Sequence, residues 1–126
     1  MDRSRIVNAL GLVSDGVFAI TDLQMVDWGR DIVLKCDYRT VSLEGVPDDP
    51  VEFQIVFRDC REIKYRIYAH ISQHEQGHVS KFADVVELML GKGNHRRDAN
   101  ILTNHFSVTI SYGEVVIERD DQIYKI

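Results

Sequence analysis

The residues of this chain best suited to chemistry are His74, Glu75, Gln76, Gly77 and His78, a run of the form HExxH. On a helix, histidines four positions apart face the same way and can hold one zinc ion, while the glutamate between them can act as general base on the metal-bound water. His70 extends the four-residue spacing backwards to give a second metal-ligand set, His70, His74 and His78. Against both readings stands the local pattern. His70 falls on the wet side of a strand-like alternation, and the residues leading into His78 lack the apolar back that a catalytic helix needs, so an exposed polar loop is the competing reading. Cys60 lies between Asp59 and Arg61. A neighbouring guanidinium can lower a thiol pKa, but no base is placed beside Cys60 by the sequence, which favours an ordinary turn cysteine. Tyr38, Tyr65 and Tyr112 fall on the inward sides of alternating segments, where buried hydroxyls need partners, and they could line a ligand pocket.

Composition narrows the setting. The 126 residues carry a net charge of −5, with basic and acidic residues interspersed, so no broad footprint for nucleic acid exists. The one basic cluster, His95, Arg96 and Arg97, reads as a solvated loop, and Gly91, Lys92, Gly93 lacks the spacing of a nucleotide motif. The two cysteines, Cys36 and Cys60, have no CxxC spacing, which fits a reduced, cytoplasmic protein. The opening sixteen residues do not read as a signal peptide, and no apolar run approaches the roughly 20 residues of a membrane helix. A soluble protein with no membrane partner is expected.

The elements that must position these residues are strands. From Val51 to Ile71 apolar residues occupy odd positions and polar ones most of the even positions, a period of two. Folding back around Asp59, Cys60 and Arg61 would oppose Phe57 to Ile63, Ile55 to Tyr65, Phe53 to Ile67 and Val51 to Ala69 in a hairpin. The lack of Gly or Asn in that loop leaves a wider five-residue loop or a bent continuous strand as alternatives. A second hairpin is expected from Val17 to Thr40, with Asp27 to Arg30 as its loop, pairing Met25 with Ile32, Leu23 with Leu34 and Ala19 with Tyr38. A third follows from Gly113 and Glu114 as a two-residue turn that would pair Tyr112 with Val115. Leu102, Phe106, Val108, Ile110 and Tyr112 form one side of the strand before it. Ile6, Leu10 and Val13 recur at helical spacing, Ser42 to Pro50 reads as an irregular connection, and residues 81 to 90 fit helix and strand templates equally.

Two resemblances add to this reading. His74 to Asp84 resembles the metzincin pattern HExxHxxGxxH at its first five positions, and carrying that family's roles over makes His74, His78 and Asp84 zinc ligands and Glu75 the base. Lys81 stands where the family has its turn glycine. At DCREIKYRIYAH and LGKGNHRRDANILTNHFSVTISYGE the chain resembles a group of small, uncharacterised bacterial proteins associated with cupin-like β-barrels. That resemblance implies a fold and no activity. The cupin HxH pattern followed by a nearby glutamate is absent. The expectation is therefore one mainly β domain over residues 1 to 126, an antiparallel, cupin-like barrel or roll with one or two short helices. Its expected function is non-catalytic binding of a small ligand or a protein partner, with a homodimer through a sheet edge or face, and no cofactor. The alternative is a zinc-dependent hydrolase built on His74, Glu75, His78 and Asp84.

Overall fold

The computed structural model describes residues 2–13, 15–40, 49–68 and 83–126. Most of the irregular connection expected at 42–50, and the whole HEQGH run, lie outside the described residues. One helix, α1 (Asp2–Ala9), precedes nine strands: β1 (Val17–Val26), β2 (Asp31–Arg39), β3 (Val51–Arg58), β4 (Glu62–Ile67), β5 (Ala83–Met89), β6 (Arg97–Thr103), β7 (Phe106–Tyr112), β8 (Glu114–Arg119) and β9 (Gln122–Lys125). All neighbours pair antiparallel in the order β4-β7-β6-β5-β1-β2-β3-β8-β9. Strand, not helix, is thus the outcome at residues 83–89.

This sheet has two ends, β4 and β9, so the described strands form an open sheet and not the closed barrel that was one expectation. It folds into two layers. The join is narrow, two residue pairs between β1 and β5 (Ala19 with Asp84, Ile20 with Ala83). Side chains from both halves then meet in one buried cluster, as alternation with one apolar face requires. The ring of Phe57 on β3 lies 5.0 Å from that of Tyr112 on β7, edge to face, although the two strands are far apart in the sheet. Burying side chains of this size contributes roughly 1.5–3 kcal/mol each.

Helix α1 adds Ile6 and Val7, and Leu10 just beyond its end, to the same cluster and lies beside β5. It ends at Gly11, whose φ of +72° suits a glycine, with Gly11 N–H donating to Asn8 O and Leu12 N–H to Val7 O. That is the Schellman closure of a helix. The helix stops before Val13, which is exposed, so the apolar spacing at Ile6 and Leu10 holds and the third position does not.

Three pairings expected from the sequence are corrected. β3 and β4 are not a hairpin: β3 pairs with β2 and β8, whereas β4 pairs with β7. Asp59, at φ +56°, carries the chain from one layer to the other. Tyr112 and Val115 do not pair across a turn either, because Gly113 makes the return crossing from β7 to β8. The two crossings touch. Gly113 N–H donates to Arg58 O at 2.9 Å, and a Cβ on Gly113 would stand 2.9 Å from Asp59 Oδ2. The β1–β2 hairpin has the expected loop and the expected pairs Met25 with Ile32 and Leu23 with Leu34. Beyond these a bulge shifts the register, so Phe18, not Ala19, faces Tyr38.

Two tight hairpins were not anticipated. Asn104 and His105 join β6 to β7 under Thr103 Oγ1, which donates to Phe106 O and accepts from the N–H groups of His105 and Phe106. Because Thr103 and Ala99 face inward there, Leu102 turns outward, against the side assigned to it by simple alternation. Asp120 and Asp121, both at positive φ, join β8 to β9. Positive φ at both central residues is the type I′ geometry, which aspartate tolerates better than most residues.

Candidate functional site

The site begins with strand alternation. On β2, Ile32, Leu34, Cys36 and Tyr38 face the core, which leaves Lys35 and Asp37 on the outer face. On β3 the same rule buries Phe53, Ile55 and Phe57 and turns Glu52 and Gln54 outward. Register then sets Asp37 beside Glu52, and lines up Lys35, Gln54, Glu118 and Ile123 across four strands. Pairing of β3 with β8 ends at Gln54 and Glu118, while β8 runs on into its turn with β9. A cleft of about 640 Å³ opens at this divergence, with β1 to β3 as floor and the β8–β9 turn as wall. Small-molecule sites span roughly 300–1,000 Å³.

The bulge in β1 supplies another wall residue. Thr21 is the unpaired extra position between Ile20, opposite Cys36, and Asp22, opposite Lys35. Its hydroxyl donates to Lys35 O at 3.2 Å and lines the cleft. Bulges re-aim single side chains in this way.

Asp37 is the unusual group. Its side chain is only 7 % exposed, yet it lines the cleft. Oδ2 accepts from Arg39 Nη2 at 3.2 Å, whereas Oδ1 is buried with no hydrogen-bond partner among the described residues. Leaving such an oxygen unmatched costs about 1–3 kcal/mol, and more for a charged group. The lining as a whole is acidic: Glu52, Glu118, Asp120 and Asp121 join Asp37, against Lys35 and Arg119. Arg119 is already engaged with Leu10 O at 3.4 Å and with Asp120 at 3.6 Å, and Glu118 stands 3.7 Å from Arg58. Among the described residues no ion pair involves Glu52 or Asp121.

The residues singled out by sequence are placed differently. Tyr38 and Tyr112 are fully buried, and both hydroxyls are taken by backbone. Tyr38 Oη donates to Val13 O and accepts from Gly16 N–H at 2.8 Å; Tyr112 Oη donates to Leu90 O. Tyr65 is half-exposed and stacks on Phe106, so its expected inward position is corrected. The cleft is lined by none of the three. Cys60 is buried, its thiol donating to Phe57 O. Burial pushes that thiol up to about 11, outweighing an N–H bond and the charge of Arg96 that act the other way. The guanidinium that reaches Cys60 is that of Arg96 and not that of the adjacent Arg61, and the raised, buried thiol is in keeping with the ordinary turn cysteine favoured by its sequence surroundings. Arg96 also grips Asp59 at 3.1 Å and the Asp59 carbonyl, and Arg97 lies over the Tyr112 ring, so the basic cluster braces the layer crossing.

His70, His74, Glu75 and His78 lie outside the described residues. Asp84 is exposed on β5, its N–H donating to Asn104 Oδ1. Among the described residues no group of three histidine, cysteine or acidic side chains is arranged to hold a metal ion. No helix among them is long and apolar enough to cross a membrane.

Sequence reasoning missed the cleft because no motif marks it. Asp37 and Glu52 read as ordinary wet-side residues of two strands, and their approach depends on a β2–β3 pairing that joins them across a long connection. The only local signal was Asp120-Asp121, a turn pair that ends β8 and begins a strand not anticipated from the sequence.

No family model and no curated protein matches the chain. Among solved structures, an uncharacterized protein from Neisseria gonorrhoeae is similar over 84 % of this chain and 93 % of its own, at 13 % identity and a TM-score of 0.49.

Proposed function

We propose that this chain is a non-catalytic binding module whose ligand seat is the outer cleft between β3 and the β8–β9 turn. The observation that carries the reading is Asp37, a carboxylate almost wholly buried in the cleft lining with one oxygen unmatched. Folded proteins rarely leave such an atom unsatisfied without a use for it. The lining is polar, which suits a small hydrophilic ligand held by hydrogen bonds and charge over a lipid or a flat aromatic group. Of the barrel-or-roll expectation, the open cupin-like roll enters this reading as architecture only, a curved sheet that presents one face to a ligand.

The test is a fragment screen read by amide chemical shifts, using a mixture of small cationic, neutral and anionic polar compounds. Shifts gathered at Lys35, Asp37, Glu52, Glu118 and Gln122 are the expected result. No fragment of any charge moving those amides would remove the cleft as a ligand seat.

A further inference from the structure

Resting on the reading of the cleft as a ligand seat, we infer that its ligand carries a guanidinium or ammonium group, bound against Asp37 Oδ1. Three features of the lining select this chemistry. The unmatched group is a carboxylate oxygen, which can only accept, so its partner must be a donor. Asp37 is neighboured across the sheet by a second acid, Glu52, to which no cation among the described residues is paired, and Asp121 adds another such acid from the facing turn. The bases of the lining do not cancel this. Arg119 is held by Leu10 O and Asp120, and Arg39 engages Oδ2 of Asp37 and leaves Oδ1 unmatched. Among the lining residues Lys35, two positions along the same face, is then the base left to stand against Glu52, Glu118 and Asp121. An anion entering here would meet acids on the floor and on the wall, whereas a cation meets an acceptor already stripped of water. Desolvated charge pairs of this kind are stronger than those at a surface.

The required donor could belong to a free amine or to an arginine side chain presented by a peptide. Agmatine and the tripeptide Gly-Arg-Gly separate these sources, with valeramide as a neutral compound of similar length. Each is titrated into the full chain while amide shifts are followed. Agmatine should move the amides of Asp37, Glu52 and Asp121, valeramide should not, and added salt should weaken the effect. The Asp37→Asn variant should weaken agmatine binding about tenfold or more, and Glu52→Gln, at an exposed position where folding is not at stake, about two- to threefold. Glu114→Gln, at the other end of β8, should leave it unchanged. Binding of the tripeptide as well as agmatine assigns the seat to a peptide arginine; binding of agmatine alone assigns it to a free amine.

Cleft amides moved by neutral or anionic fragments but not by agmatine would overturn the cationic ligand and leave the cleft standing as a seat. Agmatine binding unaffected by both Asp37→Asn and Glu52→Gln would overturn it too. Silence from every compound in the screen would remove the seat itself.

Discussion

Tyr112 donates its hydroxyl to the carbonyl of Leu90, tying the end of β7 to the residue that follows β5, with both partners buried. Tyr38 makes the corresponding tie on the other layer, holding Val13 O and Gly16 N–H, but at partners that water can reach. Both tyrosines fasten the ends of strands to a loop, which explains why neither hydroxyl is offered to a cleft.

The two phenols should therefore differ in what their loss costs. Tyr112→Phe strands the Leu90 carbonyl away from water and should lower stability by about 1–2 kcal/mol. Tyr38→Phe removes two bonds, yet solvent can replace them, and the cost should be smaller, about 0.5–1 kcal/mol. Denaturant melts of the two variants side by side decide the order. Equal costs would mean that the Leu90 carbonyl finds another partner.

Glycines at positive φ give a second comparison. Gly11, at φ +72°, has open space where a Cβ would go, so Gly11→Ala should cost only the left-handed backbone penalty, about 1–2 kcal/mol. Gly91, at φ +84°, would place its Cβ 2.5 Å from Asp98 O, a backbone atom that cannot rotate away. Gly91→Ala should lose clearly more, about 3 kcal/mol or beyond, since a steric term adds to the same conformational one. Thermal unfolding of both variants gives the difference directly.

What the sequence revealed, and what it hid, follows from how far each signal reaches. Alternation in β2 is local, and it correctly assigned Ile32, Leu34, Cys36 and Tyr38 to one buried face. The loop at Asp27–Gly29 fixed the register only as far as Leu23, because the bulge at Thr21 is one residue with no side-chain signature. The pairing of Val51–Phe57 with Ile63–Ile71 failed for a different reason. Any two strands that each bury one face match in register when folded together, so agreement of apolar with apolar does not identify the partner. Phe57 faces Ile32 and Val115 instead. The hint lay in Asp59, Cys60 and Arg61, which contain no Gly or Asn and so left a bent continuous strand open; Asp59, at φ +56°, makes the crossing. The cleft lay beyond reach for the same reason, since Asp37 and Glu52 meet through strand order and not through spacing.

Cys60 should be chemically quiet. With its thiol pushed to about 11 by burial, the thiolate fraction near neutral pH is on the order of one part in ten thousand. Cys36 is more deeply buried and its thiol is raised further. Iodoacetamide should label the native protein at least about a hundredfold more slowly than the unfolded chain, with both thiols appearing together on addition of denaturant. Rapid labelling of Cys60 alone in the native state would restore it as a reactive group.

Asp2 links the helix to the strands and should leave a mark on the acid limb of stability. Burial alone would raise its pKa, but the Leu90 N–H bond at 2.7 Å to Oδ2 and the Arg5 guanidinium at 2.9 Å from Oδ1 outweigh it, and the carboxyl lies below its ordinary 3.8. A folded value below the unfolded one means that the fold favours the ionised form. The stabilisation is fully present above the ordinary carboxyl range and disappears as pH falls through the lowered folded value. Asp2→Asn keeps an acceptor for Leu90 and removes the charge, so near neutral pH it should cost about 1 kcal/mol. The same comparison repeated in acid should show the gap between variant and parent shrinking below about pH 4 and vanishing once both carry a neutral side chain at this position. A gap that stays constant across that range would place the cost of the substitution in packing and not in the carboxylate.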